Sequence, residues 1–185
     1  TADERATLRG LVSAQDAGRK YCLLEVMDET KTAMGARALR RRLLSPLKDV
    51  AAIDGRLDRI ESLYRDQALL ARLRAGLGSC LDLERLSSRI ALGRANARDL
   101  LAAADSLRAA EQACARLEGS AAWEGCLPGR EPRLQAVKAA DRIRDAIVDE
   151  PSLLLSEGRM IREGLDQELD SLKALERDSR SVLDA

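Results

Sequence analysis

The chain has 185 residues, with 31 Lys and Arg against 31 Asp and Glu and so no formal net charge, no His, no Phe, one Trp and two Tyr. That balance excludes a surface that binds phosphates everywhere, which needs a sustained positive excess to displace counterions; the missing His removes the commonest metal ligand and the usual general base near neutral pH. With 45% hydrophobic but only 2% aromatic residues, the core must be built from Leu, Ala, Ile and Val, and the abundance of helix formers over β-branched and aromatic residues points to an all-α fold of one or two small domains.

In chain order, Tyr21 to Met27 and Gly35 to Leu44 read as helices, the second closed by Ser45-Pro46, because a residue before proline is disfavoured in the helical region. From Asp49 to Arg65, Ile53, Leu57, Ile60, Leu63 and Tyr64 recur at three- and four-residue spacing behind a capping Asp49. Asp66 restarts the chain in the same way, with Leu69, Leu70, Leu73 and Leu77 on one face, and Gly76 and Gly78 are expected to end that helix. A short helix carries Leu83, Leu86 and Ile90. After Gly93 and Asn96, a helix from Ala97 to Leu117 presents Leu100, Leu101, Ala104, Leu107, Cys114 and Leu117 as a buried stripe.

Three glycines, two prolines and Trp123 between Gly119 and Pro132 cannot sustain a helical or strand period, so a loop anchored by Trp123 is expected there. Leu134, Val137, Ile143 and Ile147 resume a helix that stops near Asp149-Glu150-Pro151. Leu153 and Leu155 alternate, Glu157-Gly158 supplies a turn, and Met160-Ile161 return, which predicts one small β-hairpin near 153–162, with Gly158 and Gly164 as turn residues. A final helix from Asp166 to Leu183 carries Leu165, Leu169, Leu172, Leu175 and Leu183 and ends without a capping glycine or proline. Its stripe needs a partner helix, inside or outside the chain.

The side chains that could carry chemistry each have an ordinary reading beside a functional one. Arg37, Arg40, Arg41 and Arg42 spread over more than half of a helix, so a phosphate site competes with solvated arginines paired to nearby carboxylates, and the second reading is preferred. No aromatic is interleaved with them to stack bases. Asp166, Glu168 and Asp170 open the last helix where its dipole favours negative charge; Glu84 and Arg89 are ordinary surface chemistry on theirs. Cys22, Cys80, Cys114 and Cys126 lack C-x-x-C spacing and are expected as buried, reduced thiols. Neither GxxxxGK[ST] nor GxGxxG occurs. No residue is assigned a catalytic, cofactor-binding or metal-binding role. No apolar run of about eighteen residues appears, and Thr1 to Arg9 is polar and mixed in charge, so no membrane segment is read and a cytoplasmic location is expected.

Four stretches together resemble one family. Thr32-Ala33-Met34-Gly35-Ala36-Arg37-Ala38-Leu39-Arg40-Arg41, continued by Leu43-Leu44-Ser45-Pro46-Leu47 and Ile53-Asp54-Gly55-Arg56-Leu57, is similar to the T-x-M-G-x-R-x-L-R-R, L-x-x-P-L and I-x-x-R-L signatures of MutS-type DNA mismatch repair proteins. The segment from Asp82 to Leu100 resembles that family's D-L-E-R-L-x-x-R-I-x-x-G-R-A-x-x-R-D-L. Gly158, Ile161, Arg162, Gly164, Asp166, Leu169 and Asp170 are similar to G-x-I-R-x-G-x-D-x-x-L-D, and Asp3 to Leu8 resembles the element that opens the core domain. The resemblance leaves out only the loop from Gly119 to Pro132.

The resemblance implies that residues 1–185 are a core and lever domain: an irregular multi-helix bundle with a small hairpin and a long C-terminal lever helix, lacking the clamp, mismatch-binding and ATPase domains. It implies coupling of ATPase state to clamp movement within a parent that binds ATP and Mg, reaches DNA through parts not present here, forms a homodimer and meets other mismatch repair proteins. The chain has no Phe for a Phe-x-Glu wedge and no Walker A motif, so no enzyme activity of its own is expected. Arg42 stands where the family has Trp, and Leu165 where it has an aromatic, which leaves the local packing at both positions open. The alternative reading is a free-standing helical adaptor that recruits a partner through the Leu165 to Leu183 stripe; a third is a duplex-binding module using Arg37, Arg40 and Arg41.

Overall fold

The computed structural model describes residues 22–152 and 158–183, with side chains through residue 176. Its α-helices are α1 (Leu23–Met27), α2 (Ala33–Leu44), α3 (Val50–Arg65), α4 (Gln67–Gly78), α5 (Leu83–Ala91), α6 (Ala97–Leu117), α7 (Arg130–Ala146) and α8 (Gln167–Leu183), with a 3-10 turn at Ala121–Trp123. Tyr21, Asp3 to Leu8, Leu153, Leu155 and Glu157 lie outside the described residues.

Most helix starts are written in single capping side chains, each accepting a backbone N–H three residues on. Thr32 accepts from Gly35 at 3.0 Å, Asp49 from Ala52 at 2.8 Å, Asp66 from Leu69 at 2.8 Å, Asp82 from Arg85 at 3.3 Å and Asn96 from Asp99 at 2.9 Å. Asn96 and Asp99 complete a reciprocal capping box, since the Asn96 N–H donates to Asp99 Oδ2 at 2.9 Å. Gly35 explains one signature position: a Cβ there would sit 2.9 Å from the capping Thr32 hydroxyl.

The spine is α6, 21 residues long and therefore about 31 Å. It packs against α4, α5 and α7. Its ion pairs with α7 set the direction of that packing: Arg144 meets Asp105, Arg108 meets Asp141 and Arg133 meets Glu118, so partners climb one helix as they descend the other and the two run antiparallel. Ala104 on α6 and Ala140 on α7 are completely buried, the small residues that let helix backbones approach. One core cluster joins Ala97, Leu101 and Ile147 with Leu100, Ile143, Ala146 and Met160; a second joins Cys22 and Leu24 with Leu39, Leu43 and Leu44.

Several expectations need correction. Gly76 does not end α4 but lies inside its last turn; Gly78 is the last helical residue, as expected, and Ser79 closes the helix by donating from its backbone N–H and Oγ to the Gly76 carbonyl. The helix after the loop starts at Arg130, so Arg130, Glu131 and Pro132 belong to the first turn of α7; proline is tolerated there because no intrahelical partner awaits its missing N–H.

The expected hairpin is absent from the described residues, which contain no strand. Instead Ile161 makes an isolated antiparallel bridge with Ile147 at the end of α7: Val148 N–H donates to Met160 O and Arg162 N–H to Ala146 O, both at 2.9 Å. Period-two alternation shows that a segment wants an extended neighbour without saying which one. Gly158 and Gly164 do make turns, at φ 72° and 88°. The last helix begins as expected, with Asp166 Oδ1 accepting from the N–H groups of Glu168 and Leu169; α8 is 17 residues long, and Lys173 Nζ donates to the Ile161 carbonyl at 2.9 Å.

Among the described residues, no helix is long and apolar enough to cross a membrane.

Candidate functional site

The strongest concentration of charge lies where α2 meets the start of α5. Arg37, the fifth residue of α2 and two past Gly35, reaches across to a segment 45 residues later. Its guanidinium grips Asp82 with both ends, Nη1 to Oδ2 at 2.7 Å and Nη2 to Oδ1 at 2.8 Å, while Nε donates to Glu84 Oε2 at 3.1 Å and Nη2 also donates to that oxygen. The planar five-donor fork of arginine suits this, since two carboxylates are held at fixed angles.

Asp82 therefore does two jobs. It caps α5 and anchors α2. Its side chain is only 16% exposed, against 46% for Arg37. The arginine hydrogen bonds hold the Asp82 carboxyl down at about 2, and the Asp82 and Glu84 carboxylates raise the Arg37 guanidinium above its ordinary value. A cleft of about 870 Å³ opens beside the clamp, lined by Arg37, Leu81, Glu84, Arg85, Leu86 and Arg89 among others. Arg89 reaches out of it to Asp99 on α6 at 2.9 Å, so Glu84 and Arg89, read from the sequence as ordinary surface chemistry, both tie their helix to another.

The same device recurs at other joints. Arg144 donates from Nε to Asp105 at 2.9 Å and from Nη1 to Asp149 at 3.4 Å; Arg162 donates to Asp149 at 2.8 Å and to the Arg144 carbonyl at 3.1 Å. Arg108 donates twice to Asp141. Arg133, 8% exposed, bridges Glu118 at 3.1 Å and Glu111 at 3.4 Å. Its guanidinium is raised first by the Glu118 hydrogen bond, as that of Arg144 is by Asp105. These joints fix helices relative to each other. Nucleophile, base and acceptor are not brought together at any of them.

Of the basic cluster, Arg37 is consumed by carboxylates, whereas Arg40, Arg41 and Arg42 are exposed without an ion-pair partner among the described residues. The cluster is thus split, and the sequence signal that could have found the split is the D-x-E of Asp82 and Glu84 at a helix start. Arg42 and Leu165, the two departures from the family pattern, are both exposed, so neither opens a hole in the core.

The cysteines also divide. Cys22 and Cys80 are buried, Cys114 is intermediate, and Cys126 is exposed in the loop, against the expectation of burial; the loop presents it to Arg59, whose Nη1 donates to Sγ at 3.1 Å. Burial pushes the Cys80 thiol up. Trp123 anchors the loop as expected, its Nε1 donating to Ser62 Oγ at 3.1 Å. Among the described residues no group of three or more Cys, Asp or Glu is placed to hold a metal ion.

Comparison with known proteins places these joints in a family. The model described as MutS domain III matches residues 6–183. The chain is 41% identical to the DNA mismatch repair protein MutS of Symbiobacterium thermophilum over 91% of its length and 19% of that protein. It is 39% identical to the protein of that name from Thermus aquaticus over 94% and 20%, and 37% identical to that from Salinibacter ruber over 96% and 20%. The chain spans about a fifth of the length of these curated relatives. The segments that carry Thr32, Gly35, Arg37, Asp82 and Glu84 all fall inside the matched range, and the chain belongs to the MutS family of DNA mismatch repair proteins, in the region that forms domain III.

Proposed function

We propose that this chain works as a mechanical segment of a mismatch repair protein: residues 1–185 form a core and lever domain that couples the ATPase state of its parent to movement of a DNA clamp. The observation that carries the reading is the Arg37 clamp. It welds two signature segments 45 and 47 positions apart, and the Arg144, Arg108 and Arg133 joints extend the same principle from α6 through α7 to the segment before α8. Helices tied at several points by directional pairs move as a body, and a packed body passes on a rotation instead of absorbing it.

The parent would hold ATP and Mg in a separate module, touch mismatched DNA through other domains and act as a homodimer beside other repair proteins. This chain supplies neither a phosphate-cradling loop nor a Phe wedge. Its role is positional, with α8 as the lever that carries displacement outward.

The purified 185-residue chain is expected to hydrolyse no ATP above a no-protein control and to bind mismatched and matched duplex within about tenfold of each other at physiological salt. Turnover above the control, or a larger preference, contradicts the proposal. A helical adaptor is the second reading, favoured by the exposed Leu165, Leu172 and Leu175; a native gene product of this chain's 20.2 kDa mass would support it over the first.

A further inference from the structure

Residues 31–48 hold six cations, Lys31, Arg37, Arg40, Arg41, Arg42 and Lys48, and no Asp or Glu, in a chain without net charge. The fold neutralises one of them. Arg37 is held by Asp82 and Glu84, while the other five are exposed and have no ion-pair partner among the described residues. The carboxylates that bracket the run in sequence are engaged elsewhere: Glu29 meets Arg74 at 3.4 Å, and Asp49 caps α3 by accepting from the Ala52 N–H at 2.8 Å. Leu39, Leu43 and Leu44 pack toward Cys22 and Leu24, which turns the Arg41 and Arg42 side of α2 outward. The negative end of the helix dipole favours Arg41 and Arg42, in the last turn, but it accounts for neither Arg40 nor Lys48.

We propose that Arg40, Arg41, Arg42 and Lys48 form a sequence-independent contact for the phosphate backbone of duplex DNA. Residues 40 to 48 reach at most about 20 Å, at about 1.5 Å per helical residue and 3.5 Å per extended one, and over that length one strand of a duplex carries about six phosphates. Exposed guanidinium forks pair with phosphate oxygens through two N–H groups at once. Single strands are held by aromatic side chains interleaved with cations, and residues 31–48 contain no Phe, Tyr or Trp.

Because the chain is neutral as a whole, the attraction is local, and it orients this body against a duplex instead of coating the protein with nucleic acid. An acidic peptide offers the same charges, so the choice of duplex rests on the reading of the chain as part of a DNA mismatch repair protein. The transmission role itself needs no such contact.

The test is fluorescence anisotropy of a labelled, fully matched duplex of about 30 base pairs, titrated with the 185-residue chain from about 50 to about 200 mM salt. Four neutralised phosphates predict an affinity that falls about 150-fold across that range. Arg40→Gln with Arg41→Gln halves the logarithmic slope, leaving a fall of about 12-fold at unchanged helix content, whereas Arg40→Lys with Arg41→Lys keeps the original fall. Arg72→Gln with Arg142→Gln, which removes the same charge from exposed positions elsewhere, also keeps it. No binding at about 50 mM salt with about 100 µM chain, or equal slopes for the two Gln pairs, overturns the contact. Binding of a poly-glutamate peptide, or of a single strand, at least about tenfold tighter than the duplex overturns it in favour of that partner. All these failures leave the function proposed above standing; a mismatch preference beyond about tenfold overturns that function whatever the slope.

Discussion

Asp82 shows how much one side chain can carry when two elements share it. Its carboxyl, lowered from 3.8 to about 2 by the Arg37 fork, stabilises the folded chain fully above about pH 4, and that contribution is lost as the pH falls toward 2. In a carboxyl-resolved NMR titration, Arg37→Gln should move the Asp82 midpoint back toward the ordinary aspartate range; an unchanged midpoint contradicts the clamp. Ser106 is the fully buried, uncharged counterpart. It is fully buried, donates to the Ala102 carbonyl at 2.7 Å and accepts from the Leu81 N–H at 2.9 Å. Ser106→Ala leaves that N–H without its acceptor and should cost roughly 1–3 kcal/mol in denaturant unfolding, with a loss under about 0.5 kcal/mol arguing that water replaces the hydroxyl. Neither pairing was legible along the chain, because each links residues 25 to 47 positions apart.

Elements were more legible than their partners. The bounds of α6 follow from Asn96 and Leu117 as the spacing predicts, and Asp49 and Asp66 open α3 and α4 where an acceptor before an apolar period should. These signals are local, so sequence order contains them. Asn96→Ala should destabilise the chain by about 1 kcal/mol, since the capping box closes the helix against which three others pack. Ala140→Leu should cost more, about 1–3 kcal/mol, by forcing volume into a fully buried contact; thermal unfolding of both variants checks the order, and Ala140→Leu proving neutral would place a void where the packing shows none. What sequence could not reveal were choices between neighbours. Ile161 bridges Ile147 at the end of α7, a partner the alternation did not indicate, and α3 took Trp123 and Cys126 on its polar side, leaving its apolar seam outward. Hydrophobic periodicity assigns a face; tertiary polar contacts assigned its direction.

At the scale of the molecule, the described residues divide into a spine and attachments. Helices α6 and α7 are joined by three arginine–carboxylate connections, whereas α2 and α3 contain no buried residue and are placed by Arg37, Trp123 and Arg59 together with the contacts of Leu39, Leu43 and Leu44 on Cys22 and Leu24. Surface ion pairs contribute little each to stability. Their value here is geometric, since they fix angles between helices whose apolar contacts are thin. The family was recognisable from Thr32 to Leu57 and from Asp82 to Leu100, and those signatures include the capping residues Thr32 and Asp82 and the clamping residues Arg37 and Glu84. Arg40 and Arg41 remain free of the clamp, so neutralising both should leave helix content and unfolding midpoint unchanged, as circular dichroism would record, while Arg37→Gln lowers the midpoint.

The most direct test of the transmission account is ATP-triggered release from mismatched DNA, measured by stopped-flow in the full-length parent with Arg37→Gln. With the clamp broken, mismatch affinity and basal ATP hydrolysis should stay within about twofold of the unmodified protein while release slows about tenfold, the size of an ordinary coupling free energy. Release at the unmodified rate, with the Asp82 midpoint shifted to show that the clamp has opened, would contradict it.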